Sequence, residues 1–231
     1  MKRNYKHAAA VELEGRFGVA LDGKPLSTPL GHSVAVPSRA LAEAIAEEWR
    51  AQGEEIRPRS MPLTQIAVTA LDRVEGRREA VIDELAAYGS TELLCYHAED
   101  PAELARRQEE AWQPVLDWLA LRFNAPLAVT RGVVPKPQQP GALAALRAAL
   151  TALGSFELAA LALATQASGS IALALAHSEE RIDAAAAWSL SLLDELYQAE
   201  LWGEDTEAAA RRRSIREDLA AAERFVLLLQ G

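Results

Sequence analysis

The sequence predicts an α+β protein, with a small strand-rich N-terminal domain containing one helix, followed by a larger all-helical C-terminal domain. Three observations predict it. Apolar and polar residues alternate with period two only in the first 36 positions. Beyond them, apolar residues recur at spacings of three and four. Capping residues, prolines and glycines then punctuate the chain as helix starts and stops. The change of period sets the boundary at residue 75, within a window of about 57 to 90, giving domains 1–75 and 76–231.

The first strand is expected over 10–14, where Val11 and Leu13 alternate with acids, and the second over 17–21, where Phe17, Val19 and Leu21 share one face. Asp22-Gly23 between two such runs is a strong hairpin signal, because both central residues of the tight turn need positive φ. Residues 24–28 and 33–36 complete a meander. Ser38 caps a helix whose apolar row is Leu41, Ile45 and Trp49, with Gly53 as its stop. Two prolines stiffen the connector 57–62.

Helices follow at 63–74 and 77–88, separated by Gly76. Asp100-Pro101-Ala102-Glu103 combines a cap, a proline in the first turn and an acid three residues on. Leu104, Trp112, Val115, Trp118 and Leu119 form that helix's apolar face, and Pro114 is expected to kink or restart it. Residues 127–134 read either as a short strand or as an extended link. Further helices are expected at about 141–153, 156–166, 170–177, 181–202 and 206–229, with Gly154 and Gly203 as stops. The stretch 158–176 carries no charge. Ser168-Gly169-Ser170 interrupts it, so it reads as two buried helices and not as a membrane span.

The 231 residues carry a formal net charge of −9, which disfavours nucleic acid and anionic lipid as partners. Cys95 is the single cysteine, so no internal disulfide forms. It sits in an apolar run and reads as a buried structural thiol. The N-terminus Met1-Lys2-Arg3-Asn4-Tyr5-Lys6-His7 has no apolar signal core.

Catalytic patterns fail on inspection. Residues 18–24 spell G-x-x-x-x-G-K, but Pro25 stands where the phosphate loop needs Ser or Thr, and the match falls across a hairpin turn. The four histidines, His7, His32, His97 and His177, have no metal-ligand spacing. No catalytic residue, metal ligand or cofactor site is therefore assigned. An acid pair among the many carboxylates is the remaining enzymatic alternative, and a helical scaffold with another client is a second.

Toward the C-terminus, Trp188, Glu195 and Trp202 are spaced by seven, so on one continuous helix they share a stripe with Leu192 and Ala199. Glu195 in that row is either an anchoring acid on a docking face or one half of an arginine pair. Six acids and no base lie between Asp194 and Glu207, which suits a helix beginning near Asp205.

Several pieces carry a family resemblance when taken in order. They are Gly15-Arg16-Phe17, Leu21-Asp22-Gly23-Lys24-Pro25-Leu26, Thr28-Pro29, Glu48-Trp49 with Gln52, and Met61-Pro62-Leu63-Thr64 with Thr69-Ala70 and Asp72. Then come Thr91-Glu92-Leu93-Leu94-Cys95-Tyr96, Gln108, Trp112, Pro114 and Trp118, and finally Asp194-Glu195, Gln198 and Trp202-Gly203. With these the chain resembles the "ATP-twelve" family, the assembly chaperones that act on the alpha subunit of the F-type ATP synthase catalytic head. The resemblance runs from about Tyr5 to Trp202.

The resemblance implies a strand-rich N-terminal and a helical C-terminal domain, with no cofactor and no catalytic activity. The implied partner is the unassembled alpha subunit, whose beta-facing surface would be shielded. No small-molecule substrate, nucleic acid or membrane insertion is expected. Partner-binding residues would be Asp194, Glu195, Gln198 and Trp202, and structural ones Trp49, Pro62, Trp112 and Trp118. Without a presequence, a bacterial cytoplasmic member is expected, or the mature form of a mitochondrial matrix protein.

Overall fold

A computed structural model describes residues 2–13, 15–132 and 134–231. Its contacts divide into two compact units. The first is Met1–Arg78 with Gly154–Ala160 and Ala221–Gly231. The second is Glu79–Leu153 with Leu161–Ala220. Two late segments thus belong with the N-terminal residues. Local periodicity does not register such a return, because it shows that a helix has an apolar face and not what that face meets.

In the first unit, β1 (Ala8–Leu13) pairs antiparallel with β2 (Arg16–Leu21), from Ala8 opposite Leu21 to Leu13 opposite Arg16. The end of the expected first strand, Glu14, lies outside the described residues. Strand β3 (Lys24–Pro25) returns along β2 through Asp22 and Gly23, whose φ values of 48° and 79° suit the two-residue turn. The Asp22 carboxylate accepts the N–H groups of His7 and Lys6, and these hydrogen bonds lower its pKa. Strand β4 (Ala35–Val36) pairs with the start of β2. At Gly18 an added Cβ would come within 2.2 Å of a Leu13 methyl, so a larger residue would require that side chain to move.

Helix α1 (Arg39–Arg50) packs on β1, β2 and β4. Ser38 caps it, its hydroxyl accepting the Leu41 N–H at 3.0 Å and donating to the Leu228 carbonyl. Leu41, Ala42, Ile45, Ala46 and Trp49 are buried. Full burial of each large apolar side chain contributes about 1.5–3 kcal/mol. Phe156 and Phe225 from the two late segments stack with centroids 6.4 Å apart.

Helix α2 (Pro62–Thr69) begins with Pro62 in its first turn, where a missing N–H costs nothing. It has no cap from its own chain neighbours. The Glu48 carboxylate of α1 supplies one, accepting the N–H groups of Leu63 and Thr64, each at 2.8 Å, and the Thr64 hydroxyl at 2.7 Å. A π-helical turn, Ala70–Val74, leads into α3 (Glu75–Ala87). The expected break at Gly76 falls one residue later, at Arg77, with φ −140°.

In the second unit, α4 (Ala102–Phe123) packs against α5 (Pro140–Thr151), α7 (Ile171–Ser178) and α9 (Leu193–Trp202). One expectation about α4, and the restart alternative of another, need correction. Asp100 is not its cap: Pro101, after a cis peptide bond, takes the cap position with extended ψ. Pro114 does not divide the helix. It is solvent-exposed within a single helix assigned from Ala102 to Phe123.

The helical unit also carries a short parallel ladder, β5 (Tyr96–His97) with β6 (Thr130–Arg131). Two-residue strands are too short to leave a period in the sequence. Val133, within the 127–134 stretch, lies outside the described residues. Helix α6 (Ser155–Ser168) ends at the expected 168–170 break, and no helix among the described residues is long and apolar enough to cross a membrane.

The buried Glu92 carboxylate caps α7. It accepts the N–H groups of Ile171 and Ala172 at 3.0 and 3.2 Å, the Ser170 hydroxyl, and the N–H of Leu94. Burial nearby raises the Cys95 thiol to about 12, as expected of a structural cysteine.

Candidate partner-binding site

The expected helix 181–202 is two helices, and this is a correction. Helix α8 (Ala184–Ser191) ends before Leu192, whose φ of −112° and ψ of 15° leave the helical region, and α9 follows. Ser189 and Ser191 turn their hydroxyls back on the carbonyls of Ala186 and Trp188, at 3.0 and 2.9 Å. Such local bonds compete with the helical ladder. Trp188 therefore does not continue the stripe of Glu195, Ala199 and Trp202. Asp194 and Glu195 fall in the first turn of the new helix, where the macrodipole favours acids.

Helix α4 anchors the junction. The Trp112 indole donates to the Leu190 carbonyl at 3.0 Å. Gln108, almost fully buried, accepts the Ala98 N–H at 2.6 Å and donates to the Asp194 carboxylate at 2.7 Å. Arg107 bridges to Glu200 at 2.8 Å and lies over the Tyr197 ring. It and Arg106 hydrogen-bond Glu103, holding that carboxyl down at about 2.

On its other side α9 meets α10 (Thr206–Gln230). Glu195 accepts from Arg211 at 2.6 Å and Arg212 at 2.8 Å, and its side chain is 28% exposed. The Arg212 side chain is 6% exposed and bonds Glu204 as well, at 2.7 Å. Bonds from Glu204 and Glu195 raise its pKa further, so its charge is permanent. The Trp188 indole donates to the Arg212 carbonyl at 2.9 Å, and Arg216 lies over the Trp188 ring. Asp205 caps α10 through the Ala208 N–H at 2.8 Å, as the acid run suggested.

The four residues expected to meet a partner therefore divide. Asp194 and Glu195 are held in polar bonds that fix α9. Gln198 and Trp202 are exposed, Trp202 at 78%. Leu201, which sequence reading did not select, is 55% exposed beside it. Residues 198, 201 and 202 share one helical face, since positions three and four apart are neighbours. The outward face is thus an aromatic and aliphatic pair, while the nearby acids Glu200, Glu204 and Asp205 are taken up by Arg107, Arg212 and the Ala208 N–H.

Of the residues expected to be structural, Trp49 is 8% exposed, Trp112 is fully buried, and Trp118 packs edge-on against Phe123 with centroids 5.5 Å apart. Sequence reading missed the capping carboxylates Glu48 and Glu92, since each acts on a segment distant in sequence and no local signal marks such a partner, while the arginine pair offered for Glu195 is made by Arg211 and Arg212. Among the described residues, no group of three His, Cys, Asp or Glu side chains is placed to hold a metal ion.

Known proteins complete the picture. The family model described as ATP12 chaperone protein matches residues 2–120, just over half of the chain. The crystal structure of Atp12 from Paracoccus denitrificans superposes with a TM-score of 0.93 at 43% identity, covering 99% of this chain and 98% of that one. A point mutant of P. denitrificans Atp12p gives 0.93 at 42% identity, covering 99% and 97%. The mitochondrial protein atp12 of Schizosaccharomyces pombe is 26% identical over 214 residues, 87% of this chain and 74% of its own length. An α+β fold shared over nearly its whole length with such proteins defines the chain as an assembly chaperone. It belongs to the ATP12 chaperone family.

Proposed function

We propose that this chaperone serves assembly of the F-type ATP synthase catalytic head. It binds the unassembled alpha subunit and shields its beta-facing surface until the beta subunit arrives. Family membership supports the assembly role, and the resemblance in the sequence supplies the client. The observation that carries a docking role for α9 is its outward face, where Trp202 and Leu201 stand exposed side by side.

An unassembled subunit exposes apolar surface that would aggregate. A large aromatic and an aliphatic residue provide anchors for such a surface. An apolar contact this small is well below a full stable interface, which leaves the complex open to displacement by the true partner. In this reading Gln198 and Trp202 touch the client, while Asp194 and Glu195 hold the helix that presents them. Binding and release need no catalysis and no cofactor, because the beta subunit competes by mass action. The chaperone works in the bacterial cytoplasm, or in the mitochondrial matrix for a eukaryotic member.

The test is binding of the purified chain to isolated alpha subunit and to the assembled head, with Trp202→Ala alongside. The reading expects a complex with isolated alpha that added beta subunit dissolves, and weaker capture by the variant. Equal binding to the assembled head would overturn the shielding role.

A further inference from the structure

Residues 28–32 connect β3 to β4, and a carboxylate forty residues away holds them. Asp72 accepts the Thr28 hydroxyl at 2.6 Å, the Leu30 N–H at 3.3 Å and the His32 ring Nδ1 at 2.9 Å. Inside the loop, the Gly31 N–H bonds the Thr28 carbonyl at 2.9 Å, and the His32 N–H bonds the Thr28 hydroxyl at 3.1 Å. The Thr28 N–H closes the loop on the His32 carbonyl at 2.8 Å. Gly31 has φ 89°, a conformation side chains disfavour. Asp72 sits on the π-helical turn Ala70–Val74, a rare element frequent at functional sites.

All this order surrounds a side chain that is mostly in solvent. Leu30 is 68% exposed, between exposed Pro29 and Gly31. From Pro25 to Val36 there is no Asp, Glu, Lys or Arg, although a quarter of the whole chain is charged. An isolated exposed leucine needs no explanation. One fixed at the tip of a loop by a distant carboxylate, in an uncharged stretch, is different, because ordering before contact lowers the entropy cost of binding.

We propose that the 28–32 loop is a pre-formed docking element on the first unit, which inserts Leu30 into an apolar hollow of the client protein. The lack of Lys and Arg fits a protein surface and not an anionic membrane. Asp72 is a positioning residue that acts through Leu30. The proposal rests on the chaperone reading above and adds a second contact to it.

The experiment measures affinity of the full chain for isolated alpha subunit. Leu30→Ser removes the apolar anchor without touching a packed side chain. It should keep the melting temperature and weaken binding roughly tenfold, the scale of one buried aliphatic side chain. Leu30→Met should restore binding. Asp72→Ala should weaken binding in the wild-type background and have no further effect with Leu30→Ser, while amide exchange at Leu30 speeds up. Wild-type affinity in Leu30→Ser overturns the docking role. An equal effect of Asp72→Ala in both backgrounds shows that Asp72 only stabilises the fold. If the wild-type chain itself fails to bind alpha, the client assignment is what falls.

Discussion

The Glu48 carboxylate caps a helix that begins fourteen residues after it, bonding the Thr64 N–H at 2.8 Å and the Thr64 hydroxyl at 2.7 Å. Glu48 is 9% exposed, and the N-terminal amides of α2 are buried with it. Glu48-Trp49 and Met61-Pro62-Leu63-Thr64 are therefore two halves of one joint. Glu48→Ala leaves two buried N–H groups and a hydroxyl unpaired, and should lower stability by about 1–3 kcal/mol. Urea unfolding measures this, and a midpoint equal to wild type would show that water replaces the carboxylate.

Trp49 follows on the same helix and supports the sheet. The Tyr5 hydroxyl donates to its carbonyl at 2.7 Å, and the two rings lie 5.7 Å apart. Trp49→Arg places a charge in that site and removes the ring, and loss of a core tryptophan alone costs roughly 3–5 kcal/mol. The expected result is poor soluble yield and a much lower melting temperature. A normal melting curve would refute the structural assignment.

Glu195 faces two arginines, one of them almost fully buried. Glu195→Gln keeps one hydrogen-bond acceptor and leaves Arg212 its bond to Glu204, so the loss should be modest, about 1 kcal/mol. Glu195→Lys gathers three cations and should loosen the α9–α10 corner and, with it, alpha-subunit binding. Thermal melts of both variants decide this. If Lys is as stable as Gln, the pairing contributes nothing in solution.

Glu92 makes stability depend on pH. Burial raises its pKa above the ordinary 4.5, against the opposing bonds from Ser170, Leu94, Ala172 and Ile171. The folded state then holds its proton more tightly than the unfolded state. Stability from this group is complete below the unfolded value and is lost as pH rises through the folded one. Between about pH 7 and about pH 5, wild type should therefore gain stability relative to Glu92→Gln as the pH falls. A difference independent of pH would mean that the α7 amides keep the carboxylate at its usual value.

What the sequence alone determined is the local part. Alternation at Phe17, Val19 and Leu21, the turn at Asp22-Gly23, the cap at Ser38 and the stop at Ser168-Gly169-Ser170 each depend on neighbours within one or two turns. The ordered motifs also carried the family. Tertiary structure alone decided the joints. Glu48 caps residues 63 and 64, Glu92 caps α7, and Asp72 grips the 28–32 loop. Each needs a carboxylate brought from elsewhere, and a distant partner leaves no period in the sequence. The same limit explains the stripe through Trp188. Seven-residue spacing assumes one unbroken helix, but the Ser189 and Ser191 hydroxyls and the bonds from Gln108 and Trp112 favour a break at Leu192. That break leaves Glu195 paired with arginines and turns Trp202 outward.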